Sequence, residues 1–135
     1  MTQYRVPYHF DTERPSPHRK PLLTVRFFSQ VSRRWLVLHN LLADTGADFT
    51  TLPRFLGQQL VVDIERGEPQ RMIGAQTESQ FFLHSLRARL GATEFGVNVA
   101  ISTGHYVRPV FGRITALDRF AVTFHFGETV LISTT

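Results

Sequence analysis

Apolar residues along this chain come in short runs separated by polar, glycine- or proline-bearing breaks, which is the spacing of β-strands rather than of amphipathic helices. Leu22-Leu23-Thr24-Val25-Arg26-Phe27-Phe28 is one such run, Ser29 to Arg33 a polar turn, and Trp35 to Ala43 a second run that leads into Asp44. Pro53 to Leu60 reads as one or two helical turns, with proline at the start where its missing N–H does no harm. Gln70 to Leu90 reads as a long hairpin with Gly74-Ala75-Gln76-Thr77 at its tip, and Gly91-Ala92 turns the chain into Glu94 to Ile101. The loop Ser102 to Pro109 precedes Val110-Phe111-Gly112, a short helix through Ile114 to Phe120, and two last strands, Ala121 to Phe126 and Thr129 to Ser133. Many short strands and little helix predict an all-β barrel or sandwich.

Four of the seven prolines (Pro7, Pro15, Pro17, Pro21) fall in the first 21 residues, a composition that opposes helix and central strand. We expect an extended arm over 1–20 and one folded domain over 21–135. Tyr4, Tyr8, His9 and Phe10 suit an arm that packs on the domain, because freely disordered tails are poor in such residues.

A length of 135 residues with 42% hydrophobic and 19% charged fits one domain. The formal net charge is +4, but it is unevenly spread: residues 1–34 hold seven cations against Asp11 and Glu13, whereas the remainder is close to neutral. The expectation is no nucleic-acid partner, since the body of the domain lacks a basic excess. Zero cysteines exclude disulfides, thiolate metal sites and a cysteine nucleophile. The six histidines show no His-Glu-x-x-His or other close ligand spacing, so no metal and no cofactor are expected, and His39 and His84 read as structural. No apolar run reaches the ~20 residues of a membrane span, and the first residues lack the apolar core of a signal peptide. A soluble cytoplasmic protein with no membrane partner is the expectation.

The unusual stretch is Leu41-Leu42-Ala43-Asp44-Thr45-Gly46-Ala47-Asp48, where an acid interrupts an apolar strand and a tight turn follows. A carboxylate there needs a partner, a hydrogen-bond cradle or a proton. An isolated Asp-Thr-Gly is commonly no more than a turn cap. Here it is accompanied, in order, by Arg71-Met72-Ile73-Gly74 and by Val110-Phe111-Gly112-Arg113 with a helical segment after it. Together these elements resemble the retropepsin family, the single-domain aspartic proteases that include the retroviral enzymes, over Leu22 to Ser133. The arm and the ending Leu-Asp-Arg-Phe-Ala-Val-Thr-Phe look like bacterial relatives. The resemblance implies a closed barrel with a flap hairpin and one short C-terminal helix. It also implies Asp44, Thr45 and Gly46 as the catalytic loop, Ala47, Asp48, Met72, Ile73, Gly74 and Ala75 as substrate contacts, and Gly112 and Arg113 as structural support, with Asp48 pairing to Arg113.

Peptide hydrolysis without a metal or covalent nucleophile can be run by two carboxylates that share one proton and hold one water. The chain has no second Asp-Thr-Gly or Asp-Ser-Gly; Asp11-Thr12 lacks the glycine and sits in the arm. The second carboxylate must then be Asp44 of another copy across a two-fold axis, which predicts a homodimer acting on a peptide or unfolded protein. The family's retroviral members interleave their termini into an interface sheet; Thr129 to Ser133 is apolar enough for that, or for an interior strand of its own subunit. The reading is an aspartic endopeptidase, against the alternative of a non-catalytic peptide-binding module of the same fold.

Overall fold

The computed structural model describes residues 2–71 and 80–134. Ten strands account for most of the order: β1 (Gln3–Pro7), β2 (Leu22–Phe28), β3 (Trp35–Ala43), β4 (Thr50–Leu52), β5 (Glu68–Gln70), β6 (Phe81–Leu90), β7 (Thr93–Ser102), β8 (Val110–Phe111), β9 (Ala121–His125) and β10 (Thr129–Ser133). The α-helix is α1 (Arg54–Leu60), and single 3-10 turns cover Ile64–Arg66 and Leu117–Arg119.

The strands β2-β3-β8-β4-β7-β6 are hydrogen-bonded in that order, and β6 returns to β2 through Arg26↔Arg89 and Phe27↔Ala88. That last pairing closes a six-stranded barrel, with β5 appended to the outer side of β6. Phe27, Leu23, Leu41, Leu52, Val99, Ile101 and Phe111 fill its interior with no measurable exposure. Each such side chain contributes about 1.5–3 kcal/mol by leaving water, and interior packing of this kind is what a closed barrel with no free edge requires. The helix α1 lies on β7, and a Cβ at Gly57 would collide with the Ile101 side chain.

A β-bulge in β3 sets which way the strand enters the site. Leu23 pairs with Leu41 but Val25 pairs with Leu38, so His39 and Asn40 together face Thr24. Strict alternation would send Leu38 and Leu41 to opposite faces. The extra residue, Asn40 at φ 63°, resets the parity, so that Leu38, Leu41 and Ala43 are all buried. Asn tolerates this left-handed geometry better than most residues.

Two sequence expectations take a different form. The segment after Arg113 holds only the 3-10 turn Leu117–Arg119; Thr115 at φ 62° and the reversed backbone at Ala116 prevent a continuous helix from Ile114. The N-terminal segment includes a strand. Gln3 to Pro7 pairs with Ser133 to Thr129, and β10 pairs on its other side with β9, giving a three-stranded sheet β1-β10-β9. Proline is accommodated because β1 lies at the edge, where its missing N–H breaks no ladder. The terminal strand β10 is thus an interior strand of its own subunit, with both sides occupied by the same chain.

The remainder of the arm is held to the barrel by polar contacts. Asp11, its side chain wholly buried, accepts backbone N–H bonds from Glu13 and Arg14 and lies 3.5 Å from the guanidinium of Arg108. Asn40 donates to Thr12 Oγ1 at 3.0 Å, and His9 and Lys20 exchange backbone bonds. His39 contacts Thr24 Oγ1, and His84 Nε2 lies 2.6 Å from the carbonyl of Ile64.

Candidate active site

Asp44 sits immediately after β3, half-buried at the mouth of the barrel. Its backbone N–H donates to the carbonyl of Phe111 at 3.1 Å, which continues the β3–β8 pairing of Ala43 with Phe111 by one residue. Gly46 N–H donates to Asp44 Oδ1 at 2.8 Å, and Ala47 N–H to the Asp44 carbonyl at 3.3 Å. The turn is therefore folded back on the carboxylate itself.

The rest of the loop is laced to the segment Gly112–Ile114. Arg113 N–H donates to Ala47 O at 2.9 Å and Ile114 N–H to Asp48 O at 2.7 Å, while Gly112 N–H donates to the buried Thr50 Oγ1 at 3.2 Å. Gly112 is the point of closest approach. A Cβ there would run into the carbonyl group of Phe49 and lie 2.9 Å from Ala47 O. Glycine is required at this position by the neighbouring backbone, not by its own dihedral angles.

The structure also joins the charged members of the site. Arg113 reaches Asp48 Oδ1 at 3.2 Å and Asp118 Oδ2 at 3.3 Å. Both acids are largely exposed, so the energetic return is that of a surface pair, about 0–1 kcal/mol each. Their value is geometric, because one guanidinium ties the loop after Asp44 to the 3-10 turn that leads into β9.

Asp44, Thr45, Gly46, Ala47, Asp48, Gly112 and Arg113 thus form one contiguous group. Met72, Ile73, Gly74 and Ala75 lie outside the described residues; Gln70 and Phe81 are partners in the antiparallel β5–β6 pairing. Sequence reasoning passed over Thr50, whose hydroxyl receives Gly112, and the Phe111 carbonyl that holds Asp44. The adjacent pair Thr50-Thr51 between Phe49 and Leu52 was the available signal for Thr50. Among the described residues no three His, Asp or Glu side chains gather as a metal site, and no helix is long and apolar enough to cross a membrane.

No protein-family model matches the sequence, and no curated protein is similar to it in sequence. Solved structures do match. A retropepsin-like aspartic protease from Rickettsia conorii superposes with a TM-score of 0.67 at 16% identity, covering 98% of this chain and 92% of that one. The fold is retropepsin-like.

Proposed function

We propose that this protein is an aspartic endopeptidase, hydrolysing peptide bonds with a water held between two Asp44 carboxylates, one from each subunit of a homodimer. The observation that carries the reading is the seating of Asp44: a half-buried carboxylate at the end of a barrel strand, bonded by Gly46 N–H and braced through Phe111, on a retropepsin-like fold. Five hydrogen bonds between residues 44–50 and 111–114 hold the carboxylate in a fixed place.

In the reaction, the ionised member of the pair takes a proton from the water as the water oxygen attacks the scissile carbonyl. The protonated member gives its proton to the carbonyl oxygen, and the gem-diol so formed collapses with cleavage of the C–N bond as the departing amine takes the proton removed from the water and the diol returns one proton to the carboxylate pair. The proposed pair shares one proton, because two adjacent like charges do not both ionise. Thr45 steadies the loop across the two-fold axis and Gly46 presents backbone to the peptide, while Ala47 and Asp48 border it. Met72, Ile73, Gly74 and Ala75 are the further residues assigned to contact with the peptide. Arg113 and Gly112 hold the loop in place.

The test is cleavage of an unstructured protein at mildly acid pH, with and without a pepstatin-like inhibitor. Wild-type protein should cleave and be inhibited, and Asp44→Asn should be inactive with an unchanged circular dichroism spectrum. Cleavage surviving in Asp44→Asn would overturn the assignment. Binding of peptide without cleavage by wild-type protein would instead establish the non-catalytic module.

A further inference from the structure

The outer wall of the barrel, where β3 begins, carries a charge pattern that the fold does not need. Alternation in β2, β3, β6 and β7 turns Phe27, Leu38, Ala88 and Val97 inward and leaves Arg26, Phe28, Trp35, Arg87, Arg89 and Glu94 on the outside. The strand pairings set these outward residues side by side. The turn Ser29 to Arg34, at the end of the same wall, adds Arg33 and Arg34, both exposed. Five arginines stand against one acid, Glu94, an excess as large as the net charge of +4 on the whole chain.

Two features here run against stability. Arg26 and Arg89 are direct partners where β2 meets β6, and like charges so opposed destabilise a sheet. Arg33 lies at φ 61°, a left-handed geometry that glycine or asparagine adopts with less strain. The turn is nonetheless firmly held: Ser29 Oγ accepts the N–H groups of Val31 and Ser32, and Ser29 N–H donates to the Arg34 carbonyl at 2.8 Å. These arginines are therefore presented on rigid backbone. Local rules broken in this way are characteristic of functional surface.

The wall also displays the ligand chemistry it suits. Arg87 Nη2 and Arg89 Nε donate to the two carboxylate oxygens of Glu94 at 2.7 Å and 3.0 Å. The same guanidiniums lie over aromatic rings, that of Arg89 4.0 Å from the Trp35 centroid and that of Arg87 5.4 Å from the Phe28 centroid. Stacking fixes the planar forks and leaves their N–H edges for oxygen acceptors. A carboxylate of the chain itself already occupies part of the wall, which favours carboxylate over phosphate as the external ligand. Among the described residues, no acid lies within ion-pair distance of Arg26, Arg33 or Arg34.

Strand β3 links this wall to the candidate site, since it opens at Trp35 and ends one residue before Asp44. Its length at about 3.3 Å per residue separates the two places by roughly 25–30 Å. An extended polypeptide of about 8–10 residues covers that distance.

We propose that the arginine wall is a second binding site for the substrate, taking an acidic segment of the polypeptide that lies about 8–10 residues or more from the bond cleaved at Asp44. This rests on the protease reading and adds a substrate class to it, unfolded chains with a run of Asp or Glu outside the cleaved sequence. Anchoring that run raises the effective concentration of the scissile bond at the site. The wall therefore acts on KM and leaves kcat alone.

A labelled octaglutamate peptide, read by fluorescence anisotropy, probes the wall without any cleavage. Wild-type protein should bind it, and binding should weaken as salt is raised. The triple variant Arg26→Gln, Arg33→Gln, Arg34→Gln should bind at least about 10-fold more weakly, while Glu94→Gln, which frees the Arg87 and Arg89 forks, should bind more tightly. Arg26→Gln alone removes the opposition to Arg89, so it keeps its melting temperature and still loses affinity. On a cleavable peptide with octaglutamate about 10 residues from the scissile bond, wild type should show a lower KM than on the untagged peptide at equal kcat, and the triple variant should not.

Wild-type protein that cleaves, yet binds octaglutamate no better than the triple variant does, overturns the wall and leaves the protease reading standing. Arginine-dependent binding in a chain that cleaves nothing upholds the acidic-peptide site and removes the protease reading. Tighter binding of oligothymidylate or of phosphatidylserine vesicles than of octaglutamate, at equal salt, assigns the wall to a nucleic acid or a membrane and overturns the proposal.

Discussion

Arg113 is bound to Ala47 through its backbone and to Asp48 through its side chain: its N–H donates to the Ala47 carbonyl at 2.9 Å, and its guanidinium reaches Asp48 Oδ1 at 3.2 Å. One residue from the far end of the chain thus holds two consecutive residues of the Asp44 loop. The two bonds differ in kind, since the first belongs to any residue at position 113 and the second to arginine alone.

Arg113→Ala should therefore cost little stability, up to about 1 kcal/mol, because the ion pairs are exposed and the backbone bond survives. Cleavage should fall by a larger factor than stability does, as the loop beside Asp44 loses its lateral brace. Thermal denaturation set beside kcat/KM separates the two. Equal, small effects on both would show that Arg113 merely decorates the surface.

Gly112→Ala meets backbone atoms rather than a yielding side chain. The added methyl must displace the Phe49 carbonyl group, which lies between Asp48 and the buried Thr50. We expect a loss of roughly 1–3 kcal/mol, the usual range for overpacking a tight site, together with near-complete loss of cleavage. Urea denaturation measures the first, and a variant as stable as wild type would contradict the close approach.

The arm should behave as part of the fold rather than as a removable leader. Deleting residues 1–20 exposes one side of β10, strips the contacts of Asp11 from Arg108, and leaves Asn40 without Thr12. The truncated chain should melt well below the intact one or fail to fold. Asp11→Ala isolates the polar part: leaving the backbone N–H groups of Glu13 and Arg14 without their acceptor should cost about 1–3 kcal/mol. Full stability and higher activity after truncation would mark the arm as an inhibitory segment.

Glu94 supplies a test of pH dependence away from the site. Arg87 and Arg89 hydrogen-bond its carboxylate at 2.7 Å and 3.0 Å and hold its pKa below the ordinary 4.5. The folded form then binds fewer protons than the unfolded form in that region, so the contribution is complete above 4.5 and fades as the pH falls through the lowered value. Glu94→Gln should be slightly less stable than wild type at pH 7, and the two melting temperatures should converge as the pH drops below 4.5. A gap that widens with acidity would reverse the sign of this argument.

Much of the barrel could be read from the order of residues. The run Leu22 to Phe28, the run Trp35 to Ala43, the start of a helix at Pro53 and the turn at Gly91-Ala92 all lie where alternation, proline and glycine put them. These are local signals, carried by side-chain period and backbone freedom. The bulge at Asn40 escaped notice because His39-Asn40 reads as a polar pair within an apolar run, and only the pairing with β2 reveals two residues facing Thr24. The proline-rich arm concealed β1 because an edge strand needs a partner more than it needs propensity, and that partner, β10, begins more than 120 residues later.

By itself the sequence determined the strand periods, the lone Asp-Thr-Gly, and hence the need for a second carboxylate from another copy if the dyad chemistry holds. The tertiary structure decided the rest: that Gly112 must be glycine because Phe49 lies against it, that Asp11 is anchored by Arg108, and that β10 is enclosed by its own chain while, among the described residues, β9 stands at the edge of its sheet. Each of these depends on which distant segments share a ladder or a contact. Strand period records which residues face inward, whereas the choice of neighbour is settled only when the barrel closes and every backbone group has found its partner.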